Sequence, residues 1–446
     1  MRKYLLSTAL LLCLYSYGQE HFAGINTSKR GGILNAVNNP AELTNLKNNY
    51  DVNIFMFSTN FANNKISFGD IVNGDNLDEL IFTGSEPVNM RVNTEILGPS
   101  FAMKMNKWAF GISSAAKLNV SFVDVDVNLG DALVNSGLNS VIGAPFIQTD
   151  YNQRAVATAW GEIGLTAARE IYNDETHRFA GGITFKLLFP GSYANMSADE
   201  FSGQIVYGPG FVGLTNASAN VNFAYSGSLA EGFEDTGNYT QFFAGGLNGF
   251  AADLGINYQW HEDGKDGYKI NAGIAFKNLG GMTFKDDNNV DNSYRLVVPE
   301  GQYMDLTQFE DVESVEQAEE ILRNSGYATI DESTKDFKVK LPSVFSAYAD
   351  VKVFNHWYAT GYIQQKLNDD SNNDQVTVQN IVTITPRYSK DWFEAFAPVS
   401  HNEVSGFTAG IGVRLGGFFL GSGSILSAAI GDTEQADAYL GFRFGF

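Results

Sequence analysis

The stretch AYLGFRFGF (residues 438–446) decides the fold, and the rest of the chain is read outward from it. One parity carries Ala438, Leu440, Phe442, Phe444 and Phe446; the other carries Tyr439, Gly441, Arg443 and Gly445. In a strand, successive side chains point to opposite faces. One face here is greasy, and the other holds a charge and small residues. A water-soluble sheet can alternate in the same way, so the remaining sequence must say which solvent the greasy face meets.

The chain has 446 residues with 46 Gly, 34 Phe, 20 Tyr and only 10 Pro, and its mean hydropathy is −0.14. That balance suits a large β-protein with a polar interior or long polar loops. Beyond the N-terminus, no run approaches the roughly 20 apolar residues of a membrane-spanning helix. The first 18 residues have the pattern of a secretory signal peptide: Arg2 and Lys3, the apolar run Tyr4–Tyr15, and small residues at Ser16 and Gly18. Cleavage is expected after Gly18. A lipoprotein cut at Cys13 is disfavoured because Leu12, the residue before it, is not small. The mature chain then has no cysteine, so no disulfide supports it. Losing Arg2 and Lys3 and no acid takes the net charge from −21 to −23. That field repels phosphates, so no nucleic-acid partner is expected.

Period-two segments of about ten residues recur, as membrane-spanning strands require. FAADLGINYQW (250–260) sets Phe250, Leu254, Ile256, Tyr258 and Trp260 against Asp253, Asn257 and Gln259. Short connections (105–108, 172–178, 261–267, 354–357, 388–392) alternate with long excursions (59–96, 123–155, 190–243, 279–342). A sandwich has no reason to keep all its long loops at one end, whereas an outer-membrane barrel does. Trp108, Trp260, Trp357 and Trp392 stand beside short turns, where an interfacial girdle belongs. The fold expected is an all-β transmembrane antiparallel barrel over 50–446. Its fourteen strands are 50–58, 97–105, 108–122, 157–171, 178–189, 244–260, 268–278, 343–353, 357–367, 375–386, 391–399, 405–415, 418–430 and 436–446. Two further alternating runs, 201–208 and 216–227, are either a hairpin on an outer loop or a spanning pair that makes sixteen. An even count puts both termini on one side, and the short turns on that side make it the periplasmic one. Residues 307–326 predict a short helix packed over the barrel mouth, with Val315, Ala318, Ile321 and Leu322 on one stripe. Leu440, Phe442, Phe444 and Phe446 then face lipid and form the terminal signal read by barrel-assembly machinery. Outer-membrane lipid and lipopolysaccharide are the surroundings expected.

Between the signal and the first strand stands GILNAVNNPAELTNLKNNYDVNIF (32–55). Its triplet Asn39-Pro40-Ala41 resembles the start of the FadL-like outer-membrane proteins. LGPSFAMKMNKWAFGISS (97–114), YKINAGIAFKNLGGMTFK (268–285) and the last thirty residues resemble a Bacteroidota outer-membrane family of unknown function with such a barrel. The resemblance implies that 19–49 folds into the lumen as a hatch. A barrel of about fourteen strands is also too wide for its own side chains to fill. Glu162, Lys186, Asp253, Lys277 and Arg443, with Asp350 and Lys352, fall on the lumen parity, where mutual pairing is expected.

No catalytic chemistry can be assembled. The five histidines are scattered, with no second ligand at metal spacing. The acidic-amide runs 286–292 and 368–374 lack calcium-loop spacing and are expected to be solvated outer loops. The sequence therefore suggests a non-enzyme without cofactors. Two roles compete: passive uptake of a small apolar molecule, and a non-transporting accessory barrel for assembly, secretion or surface-protein attachment. The first predicts an apolar pocket beside Asn39-Pro40-Ala41 and a break in strand pairing next to it.

Overall fold

The computed structural model describes residues 21–74, 76–134, 145–208, 210–228, 245–262, 267–285, 288–310, 312–431 and 433–446. The signal peptide and residues 19–20 lie outside the described residues. The chain opens the wall with β1 (Tyr50–Asn63), β2 (Val88–Leu97) with β3 (Ser100–Met105), and β4 (Trp108–Val125). After a short strand β5 (Phe146–Gln148) come β6 (Gln153–Asn173), β7 (His177–Gly208) and β8 (Phe211–Ser226). Next are β9 (Gly249–His261), β10 (Tyr268–Phe284), β11 (Val290–Val298), β12 (Met304–Asp305) and β13 (Ala328–Thr334). Then follow β14 (Phe337–Lys340) with β15 (Val344–Phe354), β16 (Trp357–Lys366) and β17 (Ile381–Ser389). The last are β18 (Phe393–Phe396) with β19 (Val399–Asn402), β20 (Gly406–Ala409) with β21 (Ile411–Leu415), β22 (Phe418–Ser422) and β23 (Gln435–Gly445). With paired segments taken as one strand, and β5, β8 and β11–β13 set aside, a ring of 14 antiparallel strands closes.

The seam is β1 on β23, running from Asp51↔Gly445 to Ala62↔Gln435, with Tyr50 and Phe446 exchanging backbone bonds at 3.0 Å. Closure leaves no edge whose amides would face hydrocarbon unpaired. Side chains partition as the alternation requires. On β9, Phe250, Leu254 and Ile256 are 53%, 44% and 56% exposed, whereas Asp253, Asn257 and Gln259 are 1%, 2% and 5%. On β23, Leu440, Phe442, Phe444 and Phe446 face out and Tyr439 is buried. Pro99, Pro342 and Pro398 stand where β2 breaks to β3, β14 to β15 and β18 to β19. A residue without an amide hydrogen forfeits no ladder bond at such a break. Trp108, Trp357 and Trp392 are exposed beside the short turns. Among the described residues no helix is long and apolar enough to cross a membrane.

The structure corrects the expected boundaries in four places. Strand 178–189 runs on to Gly208, because Pro190 sits opposite Trp160 at a register shift that absorbs its missing donor. The expected loop 59–96 is strand at both ends, 59–63 in β1 and 88–96 in β2, and only its middle is a connection. Strand 418–430 ends at Ser422, and a short helix, Ile425–Ile430, follows. Residues 375–380 are not strand; they belong to a segment that enters the lumen, described below.

Beyond the wall, upper β7 pairs with β8, β8 with β11, and β11 with β13. The runs 201–208 and 216–227 are therefore a hairpin standing on the loop end, not a spanning pair. The predicted helix forms as Val315–Asn324 and packs on this platform, burying Val315, Ala318 and Leu322. Its Glu319 is buried too, and takes bonds from Tyr225 Oη (2.8 Å) and Asn292 Nδ2 (2.6 Å).

Candidate functional site: a lumen plugged from both ends

Residues 22–47 fill the turn end of the lumen. Phe22, Ala23, Ile25 and Leu34 pack with wall residues including Met56 and Phe419. The helix α1 (Ile33–Asn38) leads into a 3-10 turn, Pro40–Asn45. Ile33, Ala36 and Leu43 lie against Ala102, Ala109 and Ala168. Polar ties hold the rest. Ser28 Oγ donates to Glu394 Oε1 at 2.8 Å, and Tyr439 Oη to the Ala23 carbonyl at 2.6 Å. At the rim, Arg30 and Lys47 meet Asp391 at 2.6 and 3.0 Å. Hydrogen bonds from those two cations hold the turn residue Asp391 down at about 2, so its carboxylate stays charged above that pH.

Asn39-Pro40-Ala41 seats this plug. Asn39 Oδ1 accepts from the Ala41 amide at 3.0 Å and so starts the 3-10 turn. Its Nδ2 donates outward to the Ile256 carbonyl at 2.9 Å and the Ile274 carbonyl at 3.3 Å. Side-chain-to-strand contact this close needs a wall without side chains, and the wall supplies glycines. Gly182 pairs directly with Gly255 across β7 and β9. A Cβ on Gly182 would stand 2.5 Å from Ala41 N and Pro40 C, and one on Gly255 2.0 Å from Asn39 Oδ1. On the next strand, a Cβ on Gly273 would stand 2.6 Å from Asn39 Nδ2. The next plug residue, Glu42, is buried and accepts from Asn257 Nδ2 (2.9 Å), Asn271 Nδ2 (2.8 Å), Asn45 Nδ2 (2.8 Å) and Tyr348 Oη. A carboxylate can be buried in this way when several donors replace its water. Sequence reading missed Glu42, although it directly follows the triplet.

The inward charges form a belt. Lys186 Nζ lies 2.9 Å from Asp253 and 3.8 Å from Glu162, and Lys117 Nζ lies 3.6 Å from both Glu162 and Glu95. Glu95, Lys117, Glu162, Lys186, Asp253 and Lys277 stand on neighbouring strands β2, β4, β6, β7, β9 and β10, and their signs alternate. Glu95 was missed because its strand read as loop, and Lys117 because nothing distinguished it from other strand lysines. Elsewhere Arg443 pairs with Asp51 across the seam, Arg387 with Asp350 at 2.7 Å, and Arg414 with Glu394 at 2.6 Å. Among the described residues Lys277 joins no ion pair and donates no hydrogen bond.

A second plug enters from the loop end. Residues 367–380, expected to start as a solvated loop, turn into the lumen and bury Asp370, Gln375, Val376, Thr377 and Val378. Arg154, fully buried, clamps this segment by its carbonyls: Asp370 O at 2.7 Å, and Asn373 O and Gln375 O at 3.3 Å. Tyr193 Oη adds a bond to Asn373 O at 2.6 Å, and Asp370 pairs with Arg91 (2.8 Å) and Lys366 (2.9 Å). The correction has a simple cause: a polar run solvated by lumen side chains reads the same as one solvated by water. Among the described residues no group of three or more His, Cys, Asp or Glu could hold a metal ion.

Between the plugs lies a chamber of about 120 Å³. Its walls include Phe22, Leu34 and Val37 from the first plug and Thr377 and Val378 from the second. A 30 Å³ void adjoins it beside Ala36 and Leu43. The large apolar concavity, about 1140 Å³, is elsewhere: it lies on the outer face of the wall among Ile256, Ile274, Ala347, Gly361, Ile363 and Ile384. This concavity is on the outward side of the strands that Asn39 touches, opposite the plug. The expected break in pairing is not seen on these strands: β9 and β10 stay paired through a register shift between Phe276 and Leu279, where Asn278 has φ +58°.

A family model described only as a family of unknown function, DUF5723, matches residues 40–423, from the plug motif to beyond β22. The chain belongs to that family. No curated protein matches it. Among solved structures, this DUF5723 barrel is similar to a TodX deltaS2S3 mutant monoaromatic hydrocarbon channel, at 11% identity and a TM-score of 0.48 over 97% of this chain and 99% of that one. It is also similar to the P. putida toluene transporter TodX, at 9% identity and 0.44 over 93% and 94%. A Pseudomonas aeruginosa FadL homologue aligns at 10% identity and 0.31 over 96% and 98%. The architecture that the chain itself shows is a closed β-barrel of 14 antiparallel strands.

Proposed function

We propose that this barrel is a passive channel of the outer membrane, with its short turns and termini periplasmic and two plugs in series as gates. The observation that carries the reading is the chamber enclosed between segments entering from opposite ends. A barrel that only had to be sealed needs one plug. The lumen is amide-rich and ringed by charges, so a small polar molecule crosses it at less desolvation cost than an apolar one. The apolar cargo suggested by sequence keeps support only from the concavity on the outer wall.

For independent gates, flux scales with the product of their open fractions. Glu42→Leu strips Asn257, Asn271 and Tyr348 of their shared acceptor, and each unpaired donor costs about 1–3 kcal/mol. Proteoliposomes of this variant should swell in arabinose about 5–150-fold faster than wild type. Swelling no faster than wild type would count against plug gating.

The accessory reading stays second, favoured by the platform of upper β7, β8, β11 and β13 with its own apolar core. A stoichiometric co-purifying protein that is lost when 290–334 is removed would favour it, and an unchanged complex would end it.

A further inference from the structure

We infer that the chamber between the two plugs is a binding site for a small zwitterion of the amino-acid class. This deepens the channel reading and rests on it for the ligand's route, though not for binding itself. Three kinds of group on its wall bear on the ligand. Lys277 reaches it from β10 as an ammonium with no ion-pair or hydrogen-bond partner among the described residues, the odd member of an otherwise paired belt. Facing it from the first plug, Asn26 Oδ1 and Asn38 Oδ1 are buried acceptors without donors. Glu95, also on the chamber wall, has Lys117 only at 3.6 Å, beyond good hydrogen-bond length, and shares it with Glu162. The rest of the wall mixes apolar residues (Phe22, Leu34, Val37 and Trp160) with polar ones, among them His21, Lys117, Asn119 and Gln364.

Each kind of group demands its complement. An ammonium without a counter-charge at ion-pair distance is costly away from bulk water, and an anionic group on the ligand relieves that cost. Unpaired amide oxygens and a loosely held carboxylate call for N–H donors. An apolar guest answers neither demand. A simple anion satisfies Lys277 but leaves Asn26 and Asn38 unpaired and faces Glu95. A simple cation meets Lys277 and Lys117 repulsively. A carboxylate and an ammonium on one small body meet both demands, and a short aliphatic side chain meets Leu34 and Val37. At roughly 10–15 Å³ per water, the 120 Å³ chamber has space for several waters and so for a body of a few heavy atoms.

Titration calorimetry on the complete barrel in detergent, incubated with ligand to equilibrium, tests this with three near-isosteric probes. L-valine carries both charges, 3-methylbutanoate lacks the ammonium, and isobutylamine lacks the carboxylate. L-valine should bind in about the millimolar range or tighter, with each singly charged probe at least about ten-fold weaker. Lys277→Met should lower L-valine affinity at least about ten-fold, and Lys277→Arg should retain it. Heat-modifiable gel mobility shows whether each variant is folded. If Lys277→Met does not fold, Asn38→Leu serves instead and should weaken L-valine more than 3-methylbutanoate. Equal affinity for the three probes, no binding of L-valine, or a folded Lys277→Met that binds as wild type overturns the proposal. None of these results bears on whether Glu42→Leu opens the channel, so the two readings fail separately.

Discussion

Gly182→Val should unseat the first plug and raise ion conductance in a planar bilayer about 5–150-fold. The wall tolerates the change: valine suits a strand, and β7 is paired on both sides here, with β6 and β9. The plug does not. The new Cβ falls 2.5 Å from Ala41 N and Pro40 C and 2.8 Å from Pro40 O. Those are backbone atoms of a turn fixed by the proline ring and by the Asn39 cap, so they cannot rotate away as a side-chain tip would. Overpacking of this kind costs about 1–3 kcal/mol, and undocking is the way to relieve it. Asn39 then loses the Ile256 and Ile274 carbonyls, and Glu42 loses its wall donors. Gly361→Val is the matched control, since a Cβ there meets nothing within 4 Å. It should leave conductance unchanged.

Arg154→Met should release the second plug. The guanidinium donates to three carbonyls of the 367–380 segment and to Asn195 Oδ1, and it is the only charged group on most of them among the described contacts. Hydrogen bonds to charged groups are worth about 1.5–3 kcal/mol each, and the orphaned carbonyls stay buried unless the segment leaves. Protease should cut between 367 and 380 in the variant and not in wild type, and conductance should rise. Arg154→Lys, with one ammonium in place of a planar fork, should fall between. A cleavage pattern unchanged in Arg154→Met would mean that Asp370 with Arg91 and Lys366 holds the segment unaided.

The wall was legible because lipid and lumen impose opposite demands at every second position. Phe250 and Asp253, or Phe442 and Arg443, declare their faces without any neighbour being known. Turn positions were legible for the same reason, through tryptophans and short polar links. The two plugs were harder to read. Asn39-Pro40-Ala41 stood out through resemblance, but its docking partners Gly182, Gly255 and Gly273 look like ordinary strand glycines until the strands are in register. Asp370 looks like a residue of a wet loop, because the lumen satisfies it with Arg91 and Lys366 as water would, and Gln375 looks like the start of a strand. Glu95 and Lys117 gain meaning only as neighbours in a belt that six strands assemble.

Two gates in series are the central claim, and conductance of four proteins tests it: wild type, Gly182→Val, Arg154→Met and the double variant. Independent gates predict that the double variant exceeds wild type by the product of the two single increases. A double variant that conducts no better than the better single one, or four proteins that are equally closed, would contradict the account.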